Sequence, residues 1–334
     1  MPHPKHTLTE RKEIVRDLYG KFRAQYARYL TPIVDSFAMS CMEGASYQMP
    51  PPRKAPSLKD VDLSNKQMAK ISLDDLQKSV LCGTCLSDAS IRIQKHYKNA
   101  RVQCRHSSRQ SSWFFWKWTV CLKQFINVES IQFQDCDGYQ KASPLQENEV
   151  LLGKLKIHTK ALPVLTQVHS IICTNNREKI ERVWLNHMTD YFLMTVWLDD
   201  GSLIGYRQGV ICLDSSPLDQ QKVFVDYLKA VWGIESYCMN TNTKMKNGEI
   251  RYRIVIKDQD NLIKMLRIVA PLIPVKEMLY KILFVPVNNS DLLQRWASEV
   301  SQLVLPEFQD FVKEEYRVII SLYEKLSEDD IVHN

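Results

Sequence analysis

The stretch from Thr195 to Gly201, T-V-W-L-D-D-G, constrains this chain more than any other. An apolar run from Tyr191 to Leu198 ends on two adjacent carboxylates, and a glycine follows. That pattern predicts a helix from about Thr189 to Asp200, stopped at Gly201 because glycine accepts left-handed backbone. Asp199 and Asp200 then fall in the last turn, where the carbonyl end of the helix repels carboxylates. Two acids there need a positive partner, of which a divalent cation is the simplest, or else they face water.

A second stretch, Leu81 to Ser90 (L-C-G-T-C-L-S-D-A-S), is also apolar and ends on an acid, Asp88. Aligning Asp88 with Asp200 puts a small residue, Gly83 and Thr195, five positions before each acid. Small residues let helix backbones approach closely. The pattern therefore predicts two packed helices, residues 74–88 and 189–200, with the acids at their ends. Two acids with two divalent ions make the constellation that cuts phosphodiesters by in-line displacement.

These stretches resemble the paired signature helices of the LAGLIDADG homing endonucleases, in the two-motif, single-chain branch that includes the yeast mitochondrial intron-encoded enzyme. The segment Ile273 to Lys281 (I-P-V-K-E-M-L-Y-K) is similar to the run that ends the second repeat in that branch. The resemblance implies an α+β fold of two tandem αββαββα repeats in pseudo-two-fold arrangement, with saddle-shaped antiparallel sheets and helical extensions at both ends. The corresponding divisions are residues 1–70 (helix and Pro-rich linker), 71–180, 181–288 and 289–334 (acidic helical tail). It implies a monomeric, site-specific, double-strand DNA endonuclease that uses Mg²⁺ or another divalent ion, encoded in a mitochondrion or chloroplast. Asp88 and Asp200 would be the catalytic, metal-holding acids, with the helix-end carbonyls beside them as further ligands. Lys281 would polarise the water network in the second half. Lys179, with Arg177 as the alternative, would do so in the first. Ser87 departs from the pattern, which has glycine before the first acid, and its side chain could crowd the helix crossing. An intron RNA maturase of the same fold without nuclease activity is the alternative that the same basic surface would serve.

Charge agrees with a polyanionic partner. Residues 291–334 hold ten acids and four bases, a net of −6, so the first 290 of the 334 residues carry +12 of the overall +6. A basic body suits nucleic acid, although a solvated basic surface shows the same balance. The nine cysteines have no paired zinc spacing; Cys82-x-x-Cys85 lies inside the first signature helix, and all nine read as buried or free thiols. No apolar run reaches the length of a membrane span, and Glu10, Glu13 and Asp17 argue against a transit peptide.

The strands carry the candidate nucleic-acid contacts. Ser90 to Ser107 alternates apolar and polar residues in two runs around Lys98-Asn99, a hairpin with one wet face. Arg92, Gln94 and His96 would share that face on the first strand, and Arg101, Gln103 and Arg105 on the second. Arg and Gln make bidentate contacts to guanine and adenine edges, and a two-stranded ribbon fits the major groove. Lys154, Lys156 and His158 form a further basic stripe, and Arg207, Arg251 and Arg253 are their counterparts in the second half. Trp113, Trp116 and Trp118 read as core cover for the sheet. Asn247-Gly248 is a hairpin turn signal. Thr7 to Glu10 reads as a capping box that opens an N-terminal helix packed on the body.

Overall fold

The computed structural model describes residues 6–30, 53, 73–135, 153–205, 207–245, 248–286 and 289–332. The chain divides into two compact units. One comprises residues 1–51, 71–81 and 88–178; the other comprises residues 52–70, 82–87 and 179–334.

In chain order the first unit opens with helices α1 (Leu8–Gln25) and α2 (Ala27–Leu30), then the start of α3 (Asp75–Leu86). Strands β1 (Ala89–Arg92) and β2 (Arg101–Ser107), helix α4 (Ser111–Phe115), strands β3 (Gln132–Asp135) and β4 (Gly153–His158), and helix α5 (Pro163–Ile172) follow. The two-residue strands β5 (Cys173–Thr174) and β6 (Arg177–Glu178) close it. The second unit takes the end of α3, then α6 (Arg182–Leu185), α7 (Asp190–Asp200), β7 (Gly201–Ile204), β8 (Gln208–Ile211), α8 (Leu218–Tyr227), β9 (Ser236–Lys244), β10 (Ile250–Ile256) and α9 (Gln259–Val269). Helices α10 (Ser290–Leu303) and α11 (Gln309–Val332) complete it.

Each unit holds one four-stranded antiparallel sheet, and the strand orders match: β1-β2-β4-β3 and β7-β8-β10-β9. The order helix, hairpin, helix, hairpin, helix thus occurs twice. In the first sheet the alternation sends Ile91, Val102, Cys104, Leu155, Ile157 and Phe133 into the core and the polar residues outward. Helix α4 widens into π geometry over Trp116–Cys121, and Trp113, Trp116 and Trp118 are fully buried, as core cover should be. The capping box at Thr7 is present. Tyr19 and Phe22 of α1 pack on Phe115, while His6 and Arg11 hold Asp135 of the edge strand β3 at 2.5 and 2.6 Å. The N-terminal helix is therefore an added layer of the first unit.

In the second unit nine consecutive residues of α7, Asp190–Leu198, are buried, as in a helix that is apolar all round. The tail folds back on this unit. Arg267 of α9 pairs with Glu299 of α10, Lys276 lies 4.2 Å above the Phe311 ring, and Tyr316 Oη donates to Phe284 O at 3.1 Å. Among the described residues no helix is long and apolar enough to cross a membrane.

Several sequence expectations change. Helix α3 is capped by Asp74, whose Oδ1 accepts from Gln77 N at 2.7 Å. β1 ends at Arg92, because the side-chain amide of Asn176 takes both the N–H and the carbonyl of Ile93. Gln94 and His96 therefore sit in the following loop and not on the strand face. Gly201 does end α7, but at φ −77°, in extended backbone. It is needed for space: a Cβ there would stand 2.4 Å from Trp197 O and closer still to the Trp197 ring. Gly248 has the expected positive φ of 89°, while Asn247, Tyr206 and the linker around Arg53 lie outside the described residues.

Candidate functional site

Helix α7 fixes the second half of the site. A Cβ at Gly83 would sit 2.9 Å from Thr195 Cβ and 3.0 Å from Phe192 O, so the end of α3 and α7 approach as closely as the glycine permits. Thr195 turns its hydroxyl back to Tyr191 O at 2.8 Å and adds no unpaired group to this dry contact. The N-terminus of α7 is held by Arg53. Its backbone N–H donates to Asp190 Oδ1 at 2.8 Å and its Nε to Oδ2 at 3.1 Å, so this arginine of the Pro-rich segment is committed to the fold.

At the other end of α7, Lys281 is 4% exposed and supplies the positive charge that the acids call for. Its Nζ donates to Leu198 O, and to Trp197 O and Asp199 O at 3.4 and 3.3 Å. Trp197 Nε1 returns a hydrogen bond to Lys281 O at 3.1 Å. An ammonium on the carbonyl end of a helix is stabilising, and burial strengthens the effect. These carbonyls were expected to be open to a metal. The structure engages them with Lys281, and Asp200 O accepts from Cys212 N at 2.9 Å. Ser87, the departure from the family pattern, does not crowd the crossing. Its Oγ stands 2.9 Å from Gly83 O and 2.9 Å from Asp199 Oδ2, so it caps its own helix and holds the first acid of the pair. Asp200 lies one residue on, half-buried at the helix end.

In the first unit Asp88 follows α3, and its Oδ2 lies 2.6 Å from Nδ1 of His106, whose side chain is 2% exposed. Nε2 of His106 has no hydrogen-bond partner among the described residues. A carboxylate oxygen and an imidazole nitrogen are donor types that a divalent cation takes. His106 was not anticipated. The signal was present, since the inward positions of R-V-Q-C-R-H are Val102, Cys104 and His106, and a polar side chain on a core face needs a partner.

The two lysines named for one role occupy different settings. Lys179 is 45% exposed and pairs with Glu181 at 2.6 Å. Arg177 is exposed in β6, behind a turn in which Asn175 and Asn176 both have positive φ. Glu178 accepts from Ile91 N at 2.8 Å and so braces β1.

The outward face of the first sheet gathers Arg92, Arg101, Gln103, Arg105, Lys154, Lys156 and His158. Register sets Arg105 opposite Lys156 and Gln103 opposite His158. Partial burial holds the His158 imidazolium below the usual histidine range, and Lys156, Arg101 and Arg105 push it the same way. In the second sheet Arg253 is bound bidentately by Asp214, with contacts of 3.3 and 2.8 Å. Arg251 is half-buried on β10, and Arg207 is exposed in the β7–β8 turn.

A profile described as the LAGLIDADG DNA endonuclease family matches residues 78–262. No curated protein sequence matches the chain. Among solved structures, the homing endonuclease I-WcaI bound to its DNA recognition sequence superposes with a TM-score of 0.49 and 18% identity, over 69% of this chain and 98% of that one. The family match spans more than half of the 334 residues, from within α3 into α9, and the chain belongs to the LAGLIDADG DNA endonuclease family.

Proposed function

We propose that this protein is a site-specific double-strand DNA endonuclease of the homing type, from the two-motif, single-chain branch, that hydrolyses phosphodiesters with divalent metal ions. The observation that carries the reading is the pairing of an acid with a prepared environment at the end of each signature helix: Asp88 against buried His106, and Asp199-Asp200 on the Lys281-capped end of α7. The resemblance to the paired signature helices assigns Asp88 and Asp200 as the metal-holding residues. When bound, Mg²⁺ supplies Lewis acidity and lowers the pKa of its water.

The chain's own groups do the rest. Ser87 donates to Asp199 Oδ2, and Asp200, the second acid of the pair, would serve as the ligand. Lys281 neutralises the helix end on which both acids stand and places a proton-bearing nitrogen beside them. Lys179 would serve the first half only after exchanging Glu181 for the reacting phosphate. Double-stranded DNA would lie on the outward faces of the sheets, where Arg and Gln of β1 and β2 and Lys and His of β4 would meet it. The protein would act as a monomer in the organelle, mitochondrion or chloroplast, whose intron encodes it.

The test is selection from a plasmid library that carries a randomised insert. Linearised plasmids that share one sequence, formed with Mg²⁺ and not with EDTA, are the expected result. Cutting without a shared sequence, or equal cutting in EDTA, would refute the proposal.

A further inference from the structure

We propose that the two sheets divide the recognition of the DNA target. β1–β4 grip phosphates and purine edges through charge, and β7–β10 read thymine methyl groups through uncharged side chains. This rests on the reading of the protein as a DNA endonuclease, and it concerns each sheet taken by itself.

The first sheet sets like charges against each other. Arg92 faces Arg101, and Arg105 faces Lys156, across antiparallel pairs where opposed like charges destabilise the ladder. Among the described residues of this unit the ion pairs run through Asp17, Asp75, Asp88 and Asp135, and none of these reaches those four cations or Lys154. Burial lowers the pKa of His158, and the nearby Lys156, Arg101 and Arg105 add to that shift. Such a face costs stability until a polyanion lies on it.

The second sheet has a different face. A Cβ at Gly209 would meet Leu262 of α9 at 2.6 Å, so that side of the sheet is covered by the helix. On the opposite side Ser202, Val210, Val255 and Tyr237 stand in one cross-strand row whose two valines are buried, and at its β9 edge Arg253 faces Met239. Asp214 neutralises Arg253, which leaves Arg207 and Arg251 near the strand ends. Tyr237 is 44% exposed and Met239 36%, two positions apart on the edge strand β9. Exposed apolar groups gathered on one face mark a contact surface. A thioether adapts its shape to what it covers. In the major groove the thymine methyl is the apolar feature open to such side chains.

The experiment uses the full chain and a duplex recovered by binding selection in Ca²⁺ from a randomised library. Deoxyuridine, which lacks only the methyl, replaces thymidine in one half of the duplex or the other. Loss of about fourfold in affinity per methyl is expected in one half only, on the scale of one buried methylene. Tyr237→Ala with Met239→Ala should erase that loss and leave the salt slope of binding unchanged. Arg105→Ala with Lys156→Ala should lower the salt slope by about 1.8, two phosphate contacts' worth, and keep the deoxyuridine loss. Melting of each variant confirms folding. Equal deoxyuridine losses in both halves, no loss in either, or a loss that persists in the Tyr237/Met239 variant would overturn the proposal. Failure to retain any duplex would instead remove the endonuclease reading, and this proposal with it.

Discussion

Lys281 carries the most at the scale of single residues. Its ammonium spans the last carbonyls of α7, where the sequence places two carboxylates against the helix dipole. Lys281→Met should leave those carbonyls unsatisfied and cost about 1–3 kcal/mol, read from denaturant unfolding. It should also slow cleavage by about 10²–10⁴-fold, the range for a proton-transferring group. A folded Lys281→Met protein that cuts at the normal rate would confine the lysine to a structural role. His158 offers a test by pH. Its folded pKa lies below the usual 6.5, so the unfolded chain binds the extra proton in that window. This residue's stabilising contribution is present above pH 6.5 and is lost as the pH falls through the folded value. A phosphate laid on the face would raise the pKa again, so DNA binding near pH 6 should take up a proton. Calorimetry in two buffers of different ionisation enthalpy measures the uptake, and His158→Gln should abolish it.

Among the elements, the contact of α3 with α7 is the one that a sequence pattern reached directly. Gly83 and Thr195 were singled out by their spacing from the acids, and the structure brings them to the limit of contact. Gly83→Ala should destabilise by about 1–3 kcal/mol through overpacking, because the nearest neighbours are a β-branched Cβ and a backbone oxygen. Unchanged urea unfolding would show that the helices can part. Alternation and capping signals exposed α7, the strand faces and the α1 cap for the same reason: they are local. What escaped was set by distant partners. β1 stops where Asn176, 83 residues on, captures Ile93. The alternation that turns His106 inward carries no record of Asp88, its partner 18 positions earlier. Lys281 was assigned by motif, but its burial on helix carbonyls 82–84 positions earlier is a property of the fold. Arg253 was grouped with the binding face because its periodicity carries no record of Asp214.

At the scale of the whole molecule, the repeated order of elements and the repeated strand order make two like units from dissimilar sequences. The outward faces of their sheets are unlike: the first opposes Arg92 to Arg101 and Arg105 to Lys156, while the second carries Tyr237 and Met239 beside an Arg253 that Asp214 pairs, and their acids stand in different settings. The extensions are structural parts of each unit: α1 clasps the β3 edge through Asp135, and the tail anchors the segment after Lys281 through Tyr316. The central claim is that one acid per unit supports phosphodiester hydrolysis. Strand-resolved cleavage of the selected target in Mg²⁺, with binding followed separately in Ca²⁺, tests it most directly. Wild type should cut both strands. Asp88→Asn and Asp200→Asn should each abolish cutting without loss of binding, while Asp199→Asn retains it. Cutting that survives both Asp88→Asn and Asp200→Asn, or wild-type protein that binds the target and cuts with no divalent ion, would contradict the account.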